Sequence, residues 1–222
     1  MTGLVRKATL LSGALLLVAS AAMAGVPSAA TSTLPAGLQF VGTQGGVVDV
    51  KGEAIVTVRD AGSNPVINST VTIEFGLCRD ALNSDMNLDD VQPFPNMAFN
   101  CAGAVVTAVT NASGQATFRI VGGASAGPGN PPGITTGCAV IKADGQTLSP
   151  PGGVIVGQYD LNTSGGVNAA DQGIFLGSLF GAYRARADYN GSGTVTAADL
   201  AKLLSVQFAA GSGVSAPAPW CF

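Results

Sequence analysis

A twelve-residue polar loop occurs twice near the C-terminal end of this chain, as DLNTSGGVNAAD at residues 160–171 and DYNGSGTVTAAD at residues 188–199. The copies begin 28 residues apart and agree at eight of twelve positions. Oxygen-bearing side chains fall at loop positions 1, 3 and 5, a glycine at 6 and a carboxylate at 12. That spacing suits a chain curling round a hard cation, with a backbone carbonyl at 7, a water-held contact at 9 and a sharp turn at 6. In the first loop the set is Asp160, Asn162, Ser164, Gly166, Asn168 and Asp171, with Gly165 at the turn. In the second it is Asp188, Asn190, Ser192, Thr194, Thr196 and Asp199, with Gly193 at the turn. The rival reading is a pair of Asx turns with Asn168 and Thr196 as helix N-caps. Two in-phase copies, each followed by an apolar helical segment, favour two calcium ions. Each loop has only two carboxylates, so the affinity expected is that of an extracellular module, with magnesium a poor competitor.

The helical segments are expected over about 168–180 and 196–208, with the repeat aligning Phe175 with Leu203, Leu176 with Leu204 and Phe180 with Phe208. One loop-helix unit cannot bury such a stripe alone, so the two helices are expected to pack face to face.

The N-terminus reads as an export signal. Arg6 and Lys7 precede an apolar run, and Ala22-Met23-Ala24 has the small-x-small form of a cleavage site. The run is shorter than the roughly 20 residues a spanning helix needs, so no membrane span is expected in the mature chain. Loss of the leader leaves eight basic residues against thirteen acidic ones. A mildly acidic chain without basic clusters gives no footprint for nucleic acid. Histidine is absent, which excludes Ser-His-Asp and Cys-His catalysis and ordinary His-based zinc sites. No carboxylate pair stands apart from the two loops, and no enzyme is expected.

Residues 38–148 carry short alternating segments between turn signals. Ala54, Val56 and Val58 alternate with Ile55, Thr57 and Arg59, and Val71, Ile73 and Phe75 with Thr72 and Glu74. Further strands are expected over 105–110, 116–120 and 138–143, with turns at 60–65 and 111–114 and a Gly/Pro loop over 124–133. Many short strands with such turns indicate a β-sandwich. VIVGQY, within 154–159, is either its last strand or the lead into the loops.

The four cysteines are Cys78, Cys101, Cys138 and Cys221. An even count in an exported chain indicates two disulfides, with three connectivities. The expected pairing is Cys78–Cys101, closing an irregular loop over 79–100, and Cys138–Cys221, tying the Trp220-Cys221-Phe222 tail to the first domain.

AIVTVRDAGSNPVINSTVTIEF, followed by TNASGQATFRI, resembles the bacterial Ig-like domains of the invasin/intimin group, which serve as spacers, adhesion units or carbohydrate-associated modules. The duplicated Asp-x-Asn-x-Ser-Gly-x-Val loop with one trailing helix per copy resembles a dockerin, over 158–210. That resemblance implies docking on a cohesin-like partner, with cargo held in a polysaccharide-degrading or cell-surface assembly and a glycan as a further candidate ligand. In dockerins, loop positions 10 and 11 often read the partner; here they are Ala169, Ala170, Ala197 and Ala198, a departure that weakens transfer of any known cohesin specificity. No catalytic module is attached.

The expected fold class is an all-β Ig-like sandwich followed by a small all-α dockerin-like calcium-binding domain. Its parts are a signal peptide (1–24), linker (25–36), sandwich (37–150), linker or last strand (151–158), dockerin-like domain (159–212) and tail (213–222). The expected function is a secreted or cell-surface, non-catalytic modular protein that docks through its calcium domain. The alternative is a cell-surface structural or adhesion protein whose calcium domain packs on its own Ig-like domain.

Overall fold

A computed structural model describes residues 25–44, 47–79, 86–124, 137–162, 166–181, 183–208 and 221. The leader, Ser164, Gly165, Trp220 and the glycine- and proline-rich segment 125–133 lie outside the described residues. The strands are β1 (Gly37–Val41), β2 (Thr43–Gln44), β3 (Val47–Val48), β4 (Glu53–Thr57), β5 (Thr70–Glu74), β6 (Met86–Leu88), β7 (Met97–Asn100), β8 (Val105–Val109), β9 (Gln115–Ala124), β10 (Val140–Ala143), β11 (Gln146–Thr147) and β12 (Ile155–Gln158). Two helices come after them, α1 (Ala169–Leu179) and α2 (Ala197–Gln207).

One sheet runs β12-β1-β9-β4, with β6 also paired to β9; the other runs β11-β10-β5-β8-β7. Side chains alternate across each strand, so one face of each sheet is apolar. Ala54, Val56 and Val58 are buried while Ile55 is exposed. Val71, Ile73 and Phe75 from the second sheet meet Phe118, Ile120, Leu38 and Val156 from the first in one core. Phe40 and Phe75 pack edge to face across it at 5.1 Å between ring centroids. Each such side chain taken out of water contributes about 1.5–3 kcal/mol. The alternating segments thus build a two-sheet sandwich.

VIVGQY is a strand of this sandwich. β12 lies parallel to β1, with Gly37 opposite Ile155 and Phe40 opposite Gln158. The chain before β1 is also tied down, since Thr33 and Thr57 exchange backbone hydrogen bonds of 2.8 and 2.9 Å.

The expectation of a separate all-α domain after the sandwich is corrected. The protein is mostly β-sheet with two helices of eleven residues each. Their buried side chains, Phe175, Leu203 and Val206, share a second cluster with Tyr159, Leu161 and Tyr189 and with sheet-side residues Val41, Val48 and Val121. Two helices of three turns cannot enclose a core of their own, and here the sandwich supplies the missing wall.

The disulfide pairing is corrected as well: the bonds are Cys78–Cys138 and Cys101–Cys221. Cys78 comes after β5, Cys138 precedes β10, and β5 and β10 are antiparallel neighbours with Glu74 opposite Val140. Cys101 lies at the end of β7, and β8 runs between β5 and β7. Strands two apart are separated by about 9.5 Å, beyond the roughly 7 Å that a disulfide spans. The segment 79–100, expected to be irregular, contributes β6 and β7. Cys221 still ties the tail to the sandwich, where its amide donates to the Leu88 carbonyl at 2.8 Å.

Candidate calcium loops

β12 runs into Tyr159 and Asp160, so the first loop begins where a sheet strand ends. The second loop begins after a short helical turn at Ala185–Ala187. Each loop then delivers a helix through the same cap. Asn168 accepts from the Ala170 amide and Thr196 from the Ala198 amide, while Asp171 and Asp199 reach back to the cap residues' own amides. This reciprocal capping satisfies backbone donors that a helix start would otherwise leave open. The rival reading as N-caps is therefore correct for Asn168 and Thr196.

The second loop is closed by its own hydrogen bonds. The Ser192 amide donates to Asp188 Oδ1 at 3.1 Å and to Asn190 Oδ1 at 2.9 Å. The Ser192 hydroxyl lies 3.0 Å from the Thr194 carbonyl. The Asn190 amide donates to Asp199 Oδ1 at 3.0 Å, and Thr196 donates to Asp199 Oδ2 through its amide and its hydroxyl, each at 2.9 Å. The Ser192 amide thus brings the Asp188 and Asn190 side-chain oxygens together, and Asp199 is tied back to positions 3 and 9. In the first loop the Asn162 amide donates to Asp171 Oδ1 at 3.1 Å, the Asn168 amide to Asp171 Oδ2 at 2.8 Å, and the Asn168 side chain to the Gly166 carbonyl at 3.1 Å. The contacts from position 12 to positions 3 and 9 are the same in both loops.

Burial supplies the electrostatic argument. Asp160 is 2% exposed, and Asp171, Asp188 and Asp199 are 0% exposed. Burial raises the Asp171 carboxyl above its usual range, against the lowering effect of the amide bonds from Asn168 and Asn162. Tyr189, wholly buried between the units, has a hydroxyl without a hydrogen-bond partner. Burial pushes its phenol well up, and the nearby Asp171 and Asp199 charges add to the push. Buried carboxylates need charge compensation, and the cation nearest in sequence to Asp188 is the buried Arg186, whose charge also acts on Tyr189. Among the described residues no group of three or more His, Cys, Asp or Glu gathers to hold a metal. Each loop instead combines two carboxylates with amide, hydroxyl and carbonyl oxygens, an all-oxygen donor set that fits calcium and suits zinc or copper poorly.

The second loop is keyed to the sandwich. The Tyr189 carbonyl accepts from Gln39 of β1 at 3.3 Å and from Lys202 of α2 at 2.7 Å. Gly191 has φ +67°, and a Cβ there would stand 1.8 Å from the Ala36 carbonyl oxygen. Only glycine permits so close an approach with that backbone.

Ala169, Ala170, Ala197 and Ala198 are all exposed. Phe175 and Leu203 are fully buried, but Phe180 and Phe208 are 84% and 78% exposed, which corrects their place on the apolar stripe. Five residues advance a helix by about 500°, so each Phe lies about 140° round from its buried partner. The stripe continues through Ser178 and Val206 instead. Sequence reading also passed over Tyr183, whose hydroxyl donates to Asp188 Oδ2 at 3.0 Å; its place five residues before the loop gave no periodic signal.

No helix among the described residues is long and apolar enough to cross a membrane. No protein-family model matches the chain, and no curated protein matches it. Among solved structures, the Yersinia pseudotuberculosis adhesin InvE is similar at 20% identity, covering 60% of this chain and 29% of its own, with a TM-score of 0.24. This chain therefore spans less than a third of that adhesin's length, and at that score the likeness fixes neither fold nor function.

Proposed function

We propose that this is an exported, non-catalytic cell-surface structural or adhesion protein in which two calcium ions fix a pair of loop-helix units onto the protein's own β-sandwich. The observation that carries this reading is the shared core of Val41, Val48 and Val121 with Phe175, Leu203 and Val206, ringed by four buried loop carboxylates. A bound calcium supplies positive charge and seven or so coordination positions; the loops supply carboxylate, amide, hydroxyl and carbonyl oxygens, and the helix caps hold Asp171 and Asp199 in place. Two internal disulfides suit an oxidising, extracellular setting.

Differential scanning calorimetry tests this. At about 10 mM calcium, a Kd near 10⁻⁴ M stabilises by about 2.7 kcal/mol per site. Two sites should raise Tm by roughly 10–20 °C over EDTA for a chain of this size, with magnesium giving much less. An unchanged Tm would remove the calcium reading.

A second reading, calcium-dependent docking of a separate protein with a cohesin-like module as the expected partner, is favoured by Phe180 and Phe208. They are repeat-equivalent aromatics left exposed beside the small exposed residues at positions 10 and 11 of each loop. A partner captured from the native surface fraction in calcium and released by EDTA would favour docking over a purely intramolecular role.

A further inference from the structure

We propose that Tyr183 is a positioning residue for the second calcium site: its phenol holds Asp188 so that a single carboxylate oxygen faces the ion. This rests on the calcium reading above. Asp188 Oδ2 accepts from the Tyr183 hydroxyl at 3.0 Å and from the Gly193 amide at 2.7 Å. Asp188 Oδ1 accepts from the Ser192 amide, which also donates to Asn190 Oδ1. Oδ1 therefore shares a donor with the position 3 oxygen, while Oδ2 is held by two donors of its own. A carboxylate carries about four acceptor positions, so Oδ1 keeps capacity for a cation.

The position that Tyr183 occupies carries no hydroxyl in the first repeat. The residue five before Asp160 is Ile155, within β12, which has no hydroxyl and pairs with Gly37. Tyr183 thus gives the second site an outer contact that the residue at the matching position does not give the first. Such contacts typically change metal affinity by about 10–100-fold when removed. Tyr183 is half-buried, and loss of its hydroxyl leaves the ring to pack as before.

The test is isothermal titration of the intact chain and its Tyr183→Phe variant with calcium, paired with terbium luminescence excited through tyrosine. The wild type should show two sites. The variant should keep two, with one weakened about 10-fold or more in the calcium and the terbium titrations, while its calcium-saturated far-UV spectrum stays unchanged. A Tyr159→Phe control should leave the affinity of the second site unaltered. Two sites of wild-type affinity in Tyr183→Phe would overturn the positioning role and leave the calcium reading intact. No binding of either metal by the wild type would overturn both.

Discussion

Replacing Asp160 and Asp188 together with alanine is expected to abolish the calcium response of the whole protein. These residues open the two loops, and each is buried, at 2% and 0% exposure. Calcium takes most of its binding energy from carboxylates, and each loop has two, so the substitution halves the anionic ligands at both sites. The wild type should gain helicity and about 10–20 °C in Tm on adding calcium. The double variant should give one melting temperature in calcium and in EDTA, equal within about 2 °C, and a far-UV spectrum that calcium does not alter. The change reaches the sandwich because α1 and α2 bury Phe175, Leu203 and Val206 against Val41, Val48 and Val121. A variant that still responds to calcium as the wild type does would show that the buried carboxylates are compensated in another way.

The second large effect concerns the disulfides. Cys78 and Cys138 are separated by 60 residues, and Cys101 and Cys221 by 120. In the chain-entropy treatment, closing loops of those lengths contributes about 4 and about 5 kcal/mol. Cys78→Ala with Cys138→Ala, or Cys101→Ala with Cys221→Ala, should therefore lower Tm by roughly 10–20 °C. The second pair should also free the C-terminal segment to proteolysis, because Cys221 otherwise lies against Leu88 and Asp89. Peptide mapping without reduction should recover 78 linked to 138 and 101 linked to 221. A linked 78–101 peptide would contradict the strand order β5-β8-β7.

The reach of sequence reading depends on the range of each signal. Period-two alternation is local, so the burial of Val56, Val71, Ile73 and Phe118 was legible strand by strand. The loop spacing was legible because two copies report the same geometry twice, and the caps at Asn168 and Thr196 came with it. Strand order depends on contacts between distant segments. Nothing near Cys78 states that β8 will lie between it and Cys101. The expectation of a separate all-α domain failed for a related reason. The helices' apolar stripe reads as a core of its own, yet Val41, Val48 and Val121, far upstream, complete it. Phe180 and Phe208 were misplaced because a repeat alignment shows equivalence between copies and gives no direction round the helix. The Tyr183–Asp188 contact has no periodic or compositional trace at all.

In the proposed role, calcium joins the loop-helix units to the sandwich as one cooperative body. Native-state hydrogen exchange of the wild-type protein, with and without calcium, tests it most directly. Residues that open together share one opening free energy. Calcium is predicted to slow exchange by a common factor in α1, in α2 and in the β1–β12 ladder, where Gly37–Phe40 pair with Ile155–Gln158. Protection gained by the helices alone, with β1 and β12 exchanging as they do in EDTA, would contradict it.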